Sequence, residues 1–421
     1  MEIPQLIGVS ILDIKMNILL INHYAGSPYH GMEFRPYYLG QEWIKYGHKL
    51  TIVAGSYSHI RKKNIDMENT KYKIEIIDGI EYIWLKTRTY EGNEIQRVFS
   101  MFDFLWGIRK IFPILKDRKP DVVIASSTYP LDNYPCYKLA KNTGAQYIYE
   151  VHDLWPLSPQ KLGGYSKYHP FIFTMQRAEN FAYKHVDKVI SILPCAETHM
   201  KEHGLPDGKF FHVPNGIFLP EVENAEPLNR ELEVQLPQDK FIVGYCGTFG
   251  VANALHNLVS VAEEIKDSYP GIFFALVGTG PEKERLQNLI SEKRLTNIKL
   301  FEAIPKKQVQ SFLNICDVLI VIIHSDTDLF QYGISPNKIF DYMYAQKPVI
   351  QSVQAGNDIP KDAECGISCD TSVTAIKNSL ITLYKTPSEA RRIMGERGRS
   401  YVLEHHTYGV LAKQFIDIIS L

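Results

Sequence analysis

The sequence predicts an α/β protein with two doubly wound, parallel-sheet domains facing a cleft. Three observations predict it. Short apolar, β-rich runs alternate with helical patterns almost throughout. The alternation stops once, across a Pro-, Asn- and Glu-containing stretch at 214–240, and then restarts. At 421 residues and 45% hydrophobic composition, the chain is long and apolar enough for two cores.

The elements follow in order. Met16–Asn22 (MNILLIN), Lys49–Ala54, Asp121–Ser126 (DVVIAS), Gln146–Glu150 and Lys188–Ile192 read as buried strands. Helical patterns fall at Glu33–Tyr46, Val98–Leu115, Leu131–Asn142 and Pro170–His185. Ile74–Ile77 and Ile80–Leu85 form a hairpin-like pair around Asp78-Gly79, a turn dipeptide. In the second half, Phe241–Cys246, Ile272–Val277, Ile298–Phe301, Val318–Ile323 and Pro348–Gln351 read as strands. Helices are expected near Leu255–Ser268, Pro281–Lys293, Lys307–Ile315 and Asn337–Ala345. The resulting organisation is a domain at 1–213, a linker at 214–240, a second domain at 241–400 and a C-terminal helix at 401–421. That helix is expected to pack back on the first domain.

Composition narrows the function. With 46 Lys plus Arg against 47 Asp plus Glu, no global field favours nucleic acid or an acidic substrate. The six cysteines make no C-x2-C pair, so reduced thiols are expected and neither a zinc site nor a disulfide framework is. Residues 1–15 lack the basic start of a signal peptide and read as a dispensable extension or a misplaced start, since Met16 immediately precedes the first strand. No run approaches the apolar length of a membrane span. A cytoplasmic protein is the expectation.

The segment 332–343 (YGISPNKIFDYM) carries the most chemistry. Ser335 fits an N-cap and Pro336 the first helical position. Free amides and the positive dipole end then make an anion site suited to a diphosphate. Lys338 adds a mobile positive charge. Asn337 and Asp341 are four apart on one face, and the carboxylate can accept from the two hydroxyls of a ribose. An ordinary capped helix would carry the same residues. Gly247-Thr248-Phe249-Gly250 and Gly278-Thr279-Gly280-Pro281 each follow a strand, where glycines let backbone approach a phosphate or simply make a βα turn. In the first half, the loop His23–Gly31 with Tyr24, Gly26 and His30 walls the expected cleft, and Glu33 and Arg35 follow it. His152-Asp153 lies just past another strand, and the histidine can orient a reacting group or serve structure alone.

Taken together, MNILLINHYAGSP, EVHDLWP, HVPNGI (His212–Ile217), GYCGTFG, ALVGTGPEKERL and ISPNKIFDYMYAQKPVI resemble the bacterial retaining glycosyltransferases of family 4, and in particular their WbuB-like branch of O-antigen and capsule transferases. The resemblance covers nearly everything from Met16 onward. It implies a GT-B fold, donor binding mainly in the second domain, a UDP-linked sugar, and no required metal or other cofactor. It implies a lipid-linked saccharide acceptor on a polyprenyl diphosphate. On these residues it assigns His152, Asp153 and Lys338 to catalysis. It places Gly26, Gly247, Thr248, Phe249, Gly278, Gly280, Tyr332, Gly333, Ser335, Pro336, Asn337, Lys338 and Asp341 around the donor. Tyr24, His30, Glu33 and Arg35 fall on the acceptor side. The family's paired glutamates, spaced E-x7-E, are replaced by Gly333 and Asp341, so amides of Gly333–Ser335 or the Asn337 side chain are expected to contact the donor sugar instead. The basic residues expected after the GTFG-like loop are also missing, with Asn253 and His256 nearby.

Residues 99–120 mix an apolar stripe (Met101, Leu105, Ile108, Phe112, Leu115) with Arg109, Lys110, Lys116, Arg118 and Lys119. That pattern suits a core helix with a solvated basic end, or one that packs inward and also touches anionic lipid on the inner face of the plasma membrane, with Arg61-Lys62-Lys63 adding to the patch. Two rival functions use the same plan: a UDP-sugar 2-epimerase, which needs no acceptor, and a non-catalytic sugar-nucleotide-binding partner.

Overall fold

The computed structural model describes residues 15–31, 33–59, 61–90, 94–324 and 328–421, so the extension expected at the N-terminus lies almost wholly outside the described residues. The chain divides into two compact units. One runs to Pro214 and takes in Tyr408–Leu421, and the other is Asn215–Thr407.

The first unit contains β1 (Asn17–Ile21), β2 (Lys49–Gly55), β3 (Tyr72–Ile77), β4 (Ile80–Leu85), β5 (Val122–Ala125), β6 (Gln146–Val151), β7 (Lys188–Ser191) and β8 (Phe210–His212). They form one eight-stranded sheet in the order β3-β4-β2-β1-β5-β6-β7-β8. Only the β3–β4 pairing is antiparallel, through the Asp78-Gly79 turn. Both turn residues have positive φ, 47° and 84°, as a two-residue hairpin requires. The chain leaves β1 toward β2 and later returns to its other side with β5. The strand order therefore reverses between β1 and β5, and ligand sites form beyond the carboxyl ends of strands at such a point.

The second unit contains β9 (Phe241–Cys246), β10 (Ile272–Val277), β11 (Ile298–Phe301), β12 (Val318–Ile322), β13 (Val349–Ser352) and β14 (Gly366–Cys369). Their order is β11-β10-β9-β12-β13-β14, wholly parallel, with the reversal between β9 and β12. The sheet is buried on both faces. Along β12, Leu319 and Val321 join one apolar cluster while Val318, Ile320 and Ile322 join another. Along β10, Ala275 and Val277 separate from Ile272, Phe274 and Leu276 in the same way. That is why these strands read as continuous apolar runs rather than alternating ones.

Three boundaries differ from expectation. The stretch 214–240 is not a free linker, because Ile217, Val222, Leu228, Leu232 and Leu236 are buried in a core cluster of the second unit. The C-terminal region is two helices, Ser388–His405 and Tyr408–Ser420, broken at His406-Thr407. Only the last belongs with the first unit, where the Trp43 indole donates to Ala412 O at 3.1 Å and stacks edgewise on Phe415. The helix expected over 98–115 is also two, Glu94–Lys110 and Phe112–Asp117, since Pro113 cannot continue the helical hydrogen bonding.

That break re-aims the apolar stripe. Met101, Phe104, Ile108, Ile111 and Leu115 are buried, whereas Leu105 and Phe112 are only half-buried. Phe99, Phe102 and Trp106 are exposed. Arg61 does not join a basic patch. It is buried, donating to Gly55 O, Ser56 O and Ala25 O at 2.7–3.2 Å. Among the described residues, no helix is long and apolar enough to cross a membrane.

Candidate functional site

In the second unit, the chain leaves β12 and forms a helix at Asn337–Tyr344. Pro336, not Ser335, is the N-cap residue, and no side chain caps the helix. The Ser335 hydroxyl is used elsewhere: it accepts from Asn215 N at 2.8 Å, and the Asn215 side-chain amide donates to Ser335 O at 2.7 Å. Asn357 staples the preceding turn through both directions of its side-chain amide, accepting from Ile334 N and donating to Ile334 O. Tyr342 then ties the helix to the end of β9, its hydroxyl accepting from Cys246 N and donating to Cys246 O. The helix start is thus held from three directions, while among the described residues its first-turn amides at Asn337 and Lys338 find no backbone acceptor.

Lys338 lies over the Tyr245 ring, 4.6 Å from its centroid, and donates to Tyr245 Oη at 2.9 Å and Asn253 Oδ1 at 3.0 Å. A Cβ on Gly247 would come within 3.2 Å of the Lys338 Nζ, so the glycine leaves room for the amine. Burial pulls the Lys338 pKa down to about 8, with Cys246 opposing weakly. Among the described residues no carboxylate lies within ion-pair distance of it. A cation held in this way with neutral partners is ready for an anionic ligand.

One turn along the same helix, the half-buried Asp341 is pushed up to about 6 by burial, partly offset by Lys306. Asn337 is exposed at the helix start.

Around the expected donor residues, several backbone groups are already engaged within the unit. Gly247 N, Gly278 N and Phe249 N already donate to Val277 O, Phe301 O and Thr279 O, and the Phe249 ring is core. Thr248 O accepts from Tyr245 Oη and from Asn253. The glycines serve a close backbone crossing: a Cβ on Gly278 would sit 1.9 Å from Gly247 O, and one on Gly280 2.5 Å from Phe249 O. Gly333 N donates to Phe330 O and Ile334 N to Asn357, so neither amide is available to a sugar. Gly333 has φ of 92°, a backbone that a glutamate at this position would adopt only with strain. Tyr332 ends the short 3-10 turn at Asp328–Tyr332 and is half-buried.

The first unit gathers a different cluster at the carboxyl ends of β5 and β6. Glu150, fully buried, pairs with Arg35 at 2.9 Å and accepts from Ser126 Oγ at 2.6 Å. His152 Nε2 lies 2.9 Å from Ser126 Oγ and 3.3 Å from Glu150, and its Nδ1 lies 3.6 Å from Glu33. Burial alone would lower the His152 pKa. Glu150, helped by Glu33, outweighs that and raises it. Burial likewise works against ionised Glu150, but Arg35 and His152 more than compensate and hold its pKa well below the usual carboxylate range.

Five residues of the first unit take places other than those expected. Arg35 does not face an acceptor. It is buried, donating to Val213 O and Pro214 O as well as to Glu150. Asp153 accepts from Ser158 Oγ at 2.5 Å and from Leu154 N, fixing its own turn, and burial raises its pKa. Tyr24 is buried in an apolar cluster with Met101, Tyr129 and Leu131. His30 is buried against Trp84 with Nδ1 2.9 Å from Ser27 Oγ, and burial lowers its pKa. Gly26 is also internal, donating to Glu33 O and accepting from Tyr82 Oη. Glu33 alone of the expected acceptor-side set keeps a partly open side chain. Sequence reasoning missed Tyr245, Asn357, Ser126 and the roles of Asn215 and Glu150, although the last two lie in segments that carried the resemblance.

Comparison with known proteins places this geometry in a class. Residues 30–216 match the glycosyltransferase 4-like domain, and residues 230–401 match the glycosyl transferases group 1. The chain therefore belongs to the glycosyltransferases of the GT-B fold. It is similar to the probable glycosyltransferase WbjE of Pseudomonas aeruginosa, 24% identical over 58% of this chain and 60% of the relative. It thus spans less than two thirds of that protein. It is 22% identical to WcaI of Escherichia coli K12, a putative colanic acid biosynthesis glycosyl transferase, over 67% of this chain and 70% of the relative. Among solved structures, Anabaena HepE in complex with UDP and glucose superposes with a TM-score of 0.66 at 14% identity, covering 96% of this chain and 99% of that one.

Proposed function

We propose that this chain is a retaining transferase that moves a sugar, with an N-acetylated deoxyhexosamine as first candidate, from a UDP-sugar to a polyprenyl-diphosphate-linked saccharide in surface-polysaccharide assembly. The observation that carries the reading is Lys338, a desolvated cation at a helix start whose hydrogen-bond partners among the described residues are the neutral Tyr245 and Asn253. A diphosphate supplies the missing negative charge, and Asp341 accepts from the ribose hydroxyls. The relatives favour the same direction: WcaI is named for colanic acid biosynthesis, and HepE was solved with UDP and glucose.

In this reading the bond between C1 and the diphosphate oxygen breaks, and the acceptor oxygen bonds C1 on the same face. The acceptor proton passes to the departing phosphate. Lys338 and the Asn337 and Lys338 amides stabilise the charge that develops there. His152, held by Glu150 and Ser126, orients the reacting groups. The residues assigned here act without a metal, so turnover is expected to survive chelation by EDTA.

The lipid part of the acceptor has its own support in the first unit. An open groove of about 990 Å³ is lined by Phe102, Trp106, Pro113 and Tyr134, with Arg109 and Lys138 among its walls. Arg109 and Lys110 lie over the Trp106 ring. Exposed aromatics flanked by cations suit an isoprenoid tail and its diphosphate at the cytoplasmic face of the plasma membrane. Flotation with anionic and neutral vesicles tests this, and equal recovery from both would remove the electrostatic part.

The deciding experiment is a thermal-shift screen of UDP- and GDP-sugars, followed by mass spectrometry of products formed on a membrane lipid extract. A UDP-sugar that stabilises the protein and adds one sugar mass to a lipid acceptor supports the proposal. Epimerised sugar nucleotide formed without acceptor would establish the 2-epimerase instead. Binding without turnover over a broad acceptor panel would establish the non-catalytic partner.

A further inference from the structure

We propose a divalent transition-metal site, of the zinc class, in the first unit, away from the residues assigned to glycosyl transfer. Its ligands are Glu179 on the Pro170–His185 helix and His199 and His203 on and just after the Glu197–Glu202 helix. The two histidines are four apart, so a helical turn stacks their rings on one face, with centroids 4.5 Å apart. The ligand atoms of the three residues all lie within 4.8 Å of one another.

The local distances already approach a tetrahedral edge, which is roughly 3.3 Å for metal–ligand bonds of about 2.0 Å. His199 Nε2 is 3.2 Å from Glu179 Oε1. His203 Nδ1 is 3.1 Å from Asn180 Oδ1, which supplies an oxygen for the fourth position. The carboxylate is oriented by its neighbours, as metal-ligating carboxylates are: Tyr183 Oη donates to Oε1 at 3.1 Å and Gln176 to Oε2 at 2.7 Å.

The Gln176 side-chain nitrogen lies 2.7, 2.8 and 3.0 Å from Glu179 Oε2, Asn180 Oδ1 and His203 Nδ1, so the oxygen and nitrogen donors of both helices converge on one point. Glu179 is 1% exposed, and among the described residues no lysine or arginine pairs with it. A buried carboxylate beside two imidazoles is a donor set that a borderline metal ion satisfies. The metal would clip two helices together and take no part in the transfer step.

The test uses the full chain, stripped with chelator and titrated with Zn²⁺ or Co²⁺ alone. The expected results are one tight equivalent by calorimetry, the intense visible bands of tetrahedral Co²⁺, and a raised melting temperature on adding metal. His203→Ala, a half-buried position whose loss leaves the helix intact, is expected to abolish all three, and Glu179→Gln to weaken them. A stoichiometry, spectrum and melting temperature indifferent to His203→Ala would overturn the site. So would the octahedral spectrum of weakly bound Co²⁺ in the unmodified protein.

Discussion

The charged clusters of the two units are built on opposite plans. Around His152, charge is saturated: Arg35, Glu150 and Glu33 surround the imidazole, and the buried members also bond to backbone or hydroxyl. Around Lys338, charge is left open, with a phenol, an amide oxygen and helix-start amides as its company. A saturated network fixes geometry and resists change. An open cation gains most of its stabilisation only when an anion arrives. The contrast teaches that titratable residues in one protein need separate readings: one set holds a side chain in place, and the other leaves a charge without a counter-charge among the described residues.

The largest effects should come from breaking the saturated network. Arg35→Met strands the buried Glu150 carboxylate and is expected to cost about 3–5 kcal/mol of stability. Chemical denaturation measures it, and a loss below roughly 1 kcal/mol would show that the network is not saturated in the sense argued here. Lys338→Met should behave in the reverse manner. Turnover of donor is expected to fall by about 10²–10³-fold, the usual consequence of removing one preorganised stabiliser of a developing oxyanion. The melting temperature should stay at or above that of the unmodified protein, because a desolvated cation has been removed. Wild-type kcat/KM in that variant would end the assignment.

A third effect sharpens the contrast through pH. Asp341, with a pKa of about 6, loses its acceptor role as pH falls through that value. Lys338, with a pKa of about 8, loses its charge as pH rises through that value. Nucleotide-sugar affinity is therefore expected to peak between the two and to decline by up to about tenfold per pH unit on either side. A calorimetric series spanning both values checks it. Above pH 8 binding should also take up a proton, seen as a dependence of the heat on buffer ionisation enthalpy.

Much of this was legible in the sequence, for identifiable reasons. Strands such as Phe241–Cys246 and Ile272–Val277 are buried on both faces, so their apolar runs announce them with little ambiguity. The edge strands Phe210–His212 and Gly366–Cys369 went unread because they are short and only half-buried. The stretch 214–240 read as a linker because its helices, Leu219–Glu223 and Arg230–Glu233, are only about a turn long, too short for the four-residue spacing of Leu228, Leu232 and Leu236 to stand out among the Pro, Asn and Glu around them. At the sites, Lys338, Asp341 and His152 were visible as candidates from local spacing. Their supports were not, since Arg35 reaches Glu150 across 115 residues and Asn215 reaches Ser335 across 120. No local pattern carries a contact of that range, and so a hydroxyl that looked like a helix cap proved to be an anchor for a distant loop.

That anchor gives the smallest and most discriminating effect. Ser335→Ala removes the hydroxyl that accepts from the backbone N–H of the buried Asn215. The expected cost is about 0.5–1.5 kcal/mol of stability, the usual net worth of one buried hydrogen bond. Had Ser335 capped the helix, its loss would fray the helix start and reduce donor affinity alone, with little cost to the loop at Asn215. As an anchor, it positions the turn that presents the Asn337 and Lys338 amides, so KM for donor should rise together with the stability loss. Asn215→Ala should then reproduce both changes, since its side-chain amide grips Ser335 O from the other end of the same contact. Finding KM altered by Ser335→Ala but untouched by Asn215→Ala would return the serine to the capping role.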